Sequence, residues 1–145
     1  MATTVVPVLI LAAALAAGQS PAAMRARLST VPIDVAMQAT VAGSGSATAT
    51  LPGTTLSVEG TYRGLVTPAT TVRVYESPRA GMRGTLVGEF QSGGGTSGVF
   101  AGVVALTPDR AAAFGKGLLY VQIQSEKAPD GNLWGWLLPA KGPRR

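Results

Sequence analysis

Five side chains near the end of the chain recur with period two: Tyr120, Gln122 and Gln124, then Trp134 and Trp136. Rings and amides are suited to recognition: rings stack on sugar or aromatic faces, and amides hydrogen-bond. If the strand carrying Arg73 and Tyr75 lies alongside, a guanidinium joins the row, and an exposed Arg on Trp is worth about 0.5–1 kcal/mol. The residues behind much enzymatic chemistry are missing. The chain has no His and no Cys, which removes imidazole bases, thiolate nucleophiles and disulfides. Cys/His zinc sites and Ser-His-Asp acyl transfer go with them.

The remaining chemistry is thin. The carboxylates are Asp34, Glu59, Glu76, Glu89, Asp109, Glu126 and Asp130. A glycosidase needs two of them facing each other about 5–9.5 Å apart, and the sequence sets none opposite another. Glu59, with Arg73 as a candidate neighbour, reads as one half of a surface ion pair. Glu126 and Asp130 in "SEKAPDG" supply too few spaced oxygens for a calcium loop. "QSGGGTSG" lacks the Lys and the helix of a phosphate loop. Lys and Arg total 12 for a net charge of +5. They are scattered and not interleaved with aromatics, so no nucleic-acid partner is expected.

The elements that would hold the row follow from alternation. Hydrophobic residues make up 46% and charged residues 13%, enough to bury one core and too few charges for disorder. "MATTVVPVLILAAALAAGQSPAAMRARLS" opens with an apolar stretch, Val5 to Ala17, shorter than the roughly 20 residues of a membrane-spanning helix. Small residues follow it, which reads as a signal peptide over 1–23 and predicts an exported protein, periplasmic or extracellular, with no membrane span once processed. An uncleaved N-terminal anchor is the rival reading.

Beyond it, "VPIDVAMQ" alternates Ile33, Val35 and Met37 against Asp34, Ala36 and Gln38, predicting a first strand within 24–44. Ala47 to Leu51 and Thr55 to Tyr62 form a hairpin about Pro52-Gly53. "TTVRVYES", "GTLVGEF" and "GVFAGVVALT" are further strands. "TPDRAAAF" is a short helix with Thr107 as N-cap, Pro108 in its first turn and Gly115 or Gly117 at its end. "LYVQIQS" and "NLWGWLL" close the domain as a hairpin turning at Asp130-Gly131. Residues 140–145 form a basic tail. Seven or eight strands and one helical connection predict an all-β, Greek-key-like antiparallel β-sandwich.

In the closing hairpin Leu119, Val121 and Ile123 must share the core with Leu133, Gly135 and Leu137, because a slip of one residue would bury Gln122 and Gln124 unpaired. That register sets Gln124 near Asn132, Gln122 near Trp134 and Tyr120 near Trp136, all on the outer face. Two accounts of this face stand. Aromatics can cover a sheet beneath a loop or beneath the "TPDRAAAF" helix, since they bury large areas. Alternatively, the face is an open platform for a carbohydrate or protein partner.

"GTYRGLVTPATTVRVYESPRAGMRG" and "SGVFAGVVALTPDRAAAFGKGLLYVQIQSEKAPDGNLWGWLLP" resemble the CHRD domain, from about Gly45 to Pro139. The most specific part is "LLYVQIQS" with "APDGNLWGWLLP" after it. The resemblance implies a secreted all-β domain acting as a non-catalytic binding or scaffolding module, without a cofactor. It also implies a metal-handling alternative. Members of the family commonly carry a histidine-x-histidine pair and a further histidine, a set like a copper site. Those positions hold Arg73, Tyr75 and Gln124 here, which leaves no metal ligands. Asn132 and Trp134 likewise replace the family's usual acidic residue and arginine.

Overall fold

The computed structural model describes residues 23–79 and 81–139. The leader read at 1–23, except Ala23, and the tail at 140–145 lie outside the described residues. Strands form where β-branched and apolar residues alternate with hydroxyl or charged ones: β1 Met24–Thr30, β2 Ser44–Thr50, β3 Thr55–Arg63, β4 Ala69–Glu76, β5 Thr85–Gln91 and β6 Gly98–Ala105. A helix, α1 Pro108–Gly115, precedes β7 Leu119–Ser125 and β8 Ala128–Trp136, and a two-residue strand, β9 Leu138–Pro139, pairs with β1.

The strand order is β5-β4-β7-β8-β1-β2-β3-β6, antiparallel throughout. β1 links the two halves. Its start pairs with β2, while Ser29 and Thr30 pair with Trp134 and Leu133 of β8. One sheet is thus β1-β2-β3-β6 and the other β8-β7-β4-β5. The free edges approach each other where the Phe90 ring lies over Gly102 and the Val104 side chain over Gly88. The architecture is the expected all-β antiparallel sandwich, nearly closed into a barrel.

Between the sheets sits one core. Leu28, Leu56, Val58 and Tyr62 face Val72, Val74, Leu119, Val121, Ile123, Leu133 and Leu137, with Phe100, Ala113 and Phe114 filling the ends. The α1 helix is stopped as its sequence signals. The Thr107 hydroxyl accepts from Arg110 N–H, Pro108 sits in the first turn, and Gly117 adopts φ +73. Leu118 N–H reaches Ala113 O at 3.0 Å and Gly117 N–H reaches Phe114 O at 3.1 Å, the paired bonds of a Schellman stop.

Two expectations are corrected. "VPIDVAMQ" is not a strand; β1 lies just before it, and residues 35–40 are turns. Asp34 Oδ1 accepts from Met37 N–H at 3.0 Å, and Thr40 and Val41 N–H both reach Met37 O. A local carboxylate thus gives the backbone an alternative to a ladder, leaving Ile33 and Val35 exposed. The second concerns the closing hairpin. It turns at Glu126-Lys127, with Ser125 opposite Ala128, and Asp130-Gly131 lie inside β8 as part of an irregularity between Ile123 and Ser125.

Candidate functional site

The register of the closing hairpin is the one the buried aliphatic residues require. Tyr120 pairs with Trp136, Val121 with Gly135, Gln122 with Trp134 and Ile123 with Leu133. Leu133 and Leu137 are fully buried. β4 lies on the other side of β7, with Arg73 opposite Gln122 and Tyr75 opposite Tyr120. All seven expected side chains therefore share the outer face of the second sheet, in rows running Glu89, Arg73, Gln122, Trp134 and Leu86, Tyr75, Tyr120, Trp136.

That face is not open, and here the expectation of an exposed contact row is corrected. Tyr120, Gln122 and Gln124 are each only 2% exposed, whereas Arg73, Tyr75, Trp134 and Trp136 are half-buried. The aromatics cover one another. The Tyr75 ring stacks on Tyr120 at 5.1 Å and 10°, Trp136 lies 4.8 Å from Tyr120, and Trp134 meets both Tyr120 and Trp136 edge-on. Tyr120 is the floor of this layer. Its hydroxyl accepts from Gly84 N–H at 3.0 Å, which ties the 77–84 loop over it. Arg83 of that loop sits 6.0 Å from the Trp134 ring. On the other flank the 31–41 turns bring Val31, Val41 and Met37 against Ala128 and Trp134. The cover is thus two loops; the helix instead packs Ala113 and Phe114 into the main core.

Beneath the rings the amides bond to one another and to neighbouring hydroxyls. Gln124 Nε2 donates to Gln122 Oε1 at 2.6 Å, and Thr71 donates its hydroxyl to Gln124 Oε1 at 3.1 Å. Asn132 Nδ2 donates to Ser125 Oγ at 2.9 Å. Among the described residues, Asn132 Oδ1 and Trp136 Nε1 are buried without a partner. Buried amides that satisfy one another carry no cost of unpaired desolvation, so this net stiffens the face. Arg73 Nε donates to Glu89 at 3.0 Å, and Nη1 reaches the Tyr75 hydroxyl. Glu59, the neighbour expected for Arg73, lies in the other sheet. The bond to Tyr75, opposed by burial and helped by Glu89, holds the Arg73 guanidinium above its already high value.

Sequence reasoning missed Thr71, Glu89, Arg83 and Gly84. The first two were visible as outward parities on their strands. Arg83 and Gly84 carried no signal, because they act from a loop through one backbone N–H and one ring contact.

Burial raises the Tyr120 hydroxyl above its ordinary range, partly offset by the Gly84 amide, which favours the ionised form. The folded chain therefore holds this proton more tightly than the unfolded one. Its contribution to stability is complete below about pH 10 and fades as pH climbs through the raised value. The urea midpoint of the natural chain should fall more steeply between pH 9 and pH 11 than that of Tyr120→Phe. Parallel slopes would show that this hydroxyl does not titrate with unfolding.

The set does not fit a copper or zinc ion. Arg73 brings a cation, Gln124 has both ends of its amide engaged by Thr71 and Gln122, and the Tyr75 hydroxyl already accepts from Arg73. Among the described residues no three Asp or Glu converge as a metal site would require. No described helix is long and apolar enough to cross a membrane. No curated protein and no solved structure matches the chain. Residues 24–137 match the CHRD domain family, so the match takes in β1 as well as the stretch from Gly45. With most of its length inside that match and an all-β sandwich to go with it, the chain belongs to the CHRD domain family.

Proposed function

We propose that the chain is an exported, non-catalytic binding module whose contact surface is the half-open rim of the aromatic layer: Arg73, Tyr75, Trp134 and Trp136, with Arg83 beside them. The observation that carries the reading is the division of the outer face into a locked floor and a partly open rim. Tyr120, Gln122 and Gln124 are buried, the two amides bonded to each other and the Tyr120 hydroxyl to the Gly84 amide, so they support the rim without touching a partner. Rings held in place by a second core lose little freedom when a ligand stacks on them, which is how preorganisation raises affinity. An arginine at either side of the rings suits the polar edge of a sugar or peptide. The missing imidazole and thiol, and the engagement of the amides with one another, support binding over catalysis. The apolar stretch Val5–Ala17 with small residues after it supports export.

Retention on insoluble neutral polysaccharides (cellulose, chitin and β-1,3-glucan), read together with tryptophan fluorescence, tests the reading. Trp134→Ala and Tyr75→Ser should each weaken retention roughly tenfold, the effect of losing an aromatic anchor, with an unchanged far-ultraviolet circular dichroism spectrum. Absence of retention on all three polymers by the natural chain ends the carbohydrate reading. Equal retention by both variants ends the role of the rim.

A further inference from the structure

The opposite face of the sandwich carries a second, independent pattern. On the outer side of the first sheet, β1 presents Arg25 and Arg27, β2 presents Ser44, Ser46, Thr48 and Thr50, and β3 presents Ser57, Glu59, Thr61 and Arg63. The ladders align them. Arg27, Ser46, Thr61 and Val99 form one row, Arg25, Thr48, Glu59 and Ala101 the next, and Arg63 lies beside Ser44. At about 4.8 Å per strand the first row runs roughly 14 Å, from a cation through two hydroxyls to an exposed valine. Among the described residues no hydrophobic loop cluster is packed on it, unlike the aromatic face.

Among the described residues no Asp or Glu pairs with its arginines. All seven Asp and Glu side chains of the sequence lie among the described residues, and the two ion pairs found there, Arg73–Glu89 and Arg110–Glu76, use none of these three arginines. Arg63 Nε is instead turned toward Ser44 Oγ at 3.5 Å. Arg27 and Arg63 flank a cleft of about 410 Å³, lined also by Ser44, Gly45, Ser46 and Thr61. Two guanidinium groups and three hydroxyls around one cleft form a donor-rich setting for a tetrahedral oxyanion, which Arg binds with paired, charge-assisted hydrogen bonds.

We propose that this cleft binds a phosphate or sulfate ester carried on a hydroxyl-rich polymer, an acidic glycan. The ester sits between Arg27 and Arg63, and the sugar ring next to it lies along Ser46, Thr61 and Val99. The row decides between a free ion and a polymer. A lone oxyanion needs only the cleft, whereas the hydroxyl and valine positions beyond it match the polar edge and apolar face of a sugar.

Binding of dextran sulfate, phosphomannan, uncharged dextran and inorganic phosphate, each to the full chain at low salt, tests this. The two charged polymers bind and uncharged dextran does not; whichever charged polymer binds tighter names the ester. Arg27→Gln and Arg63→Gln should each weaken polymer binding at least tenfold, while Arg79→Gln, an exposed arginine of the 77–84 loop, changes it less than twofold. All three positions are on the surface, so unfolding midpoints should coincide. Equal losses from Arg79→Gln would reduce the effect to net charge and overturn the site. Inorganic phosphate binding as tightly as either polymer would overturn the polymer, and no binding of any anion would overturn both.

Discussion

Tyr120→Ala should lower the free energy of unfolding by about 3–5 kcal/mol, the range for deleting a fully buried aromatic ring. Tyr120 is only 2% exposed although it stands on the outer side of a sheet, and three rings rest on it. Its removal leaves a void beneath Tyr75, Trp134 and Trp136 and strips Gly84 N–H of its acceptor, which itself costs about 1–3 kcal/mol when the group stays buried. Urea denaturation reads the loss as a lower midpoint at an unchanged slope. The comparison is Tyr75→Ala, which removes a half-buried ring from the top of the same stack and should cost about 1 kcal/mol. Equal losses from the two variants would mean that the outer layer is surface decoration and not a second core. Against a total stability of about 5–15 kcal/mol for an ordinary domain, the larger loss brings the chain close to unfolding.

This second core also explains what could be read from the sequence and what could not. Alternation located β2 to β7 and most of β8, and in the closing hairpin it fixed which side faces inward, because a one-residue slip would bury Gln122 and Gln124 in the aliphatic layer. Cap chemistry located α1, since Thr107 and Pro108 at its start and Gly117 at its end each act on backbone groups within a few residues of themselves. Alternation gives parity, and parity does not give exposure. Whether Tyr120 faces water depends on Gly84, whose N–H arrives from a loop far along the chain, and on the 31–41 turns, whose valines clamp Trp134. The misread "VPIDVAMQ" failed for a related reason. Its period of two is real, but Asp34 captures the Met37 amide and turns the chain before a ladder can form. Residues read as a strand thus became part of the lid.

In the proposed reading the two faces divide the work between them. The aromatic face is stiffened by its glutamine amides, which bond to each other and to Thr71, and the proposed contact is therefore confined to its rim. On the hydroxyl and arginine face no described Asp or Glu pairs with Arg25, Arg27 or Arg63, which leaves their charge for the proposed ligand. The single strand β1 borders both, since it leaves the first sheet and joins the second at Ser29. A variant that disturbs one face without unfolding the chain should leave binding at the other unchanged, because their side chains point away from each other across a common core.

Gly131→Ala should cost about 2–4 kcal/mol, combining a backbone that L side chains avoid with overpacking of a filled site. Gly131 adopts φ +126, and a methyl group there would lie 2.8 Å from Gln122 Cδ, with Nε2 nearer still. Gln122 cannot swing aside, because its Oε1 is held by Gln124, which is held in turn by Thr71. The glycine read as a turn residue is therefore needed for close approach: it lets the irregular part of β8 fold down onto the amide net. A double-mutant cycle separates the two causes. Gln122→Ala alone should cost about 1–3 kcal/mol, since it leaves Gln124 Nε2 buried and unpaired. The double variant should lose at least about 1 kcal/mol less than the sum, because removing the amide relieves the clash. Guanidinium midpoints of the four proteins decide it. Strict additivity would assign the whole cost of Gly131→Ala to backbone strain, and the amide net would then be a passenger on the hairpin and not the surface against which β8 is shaped.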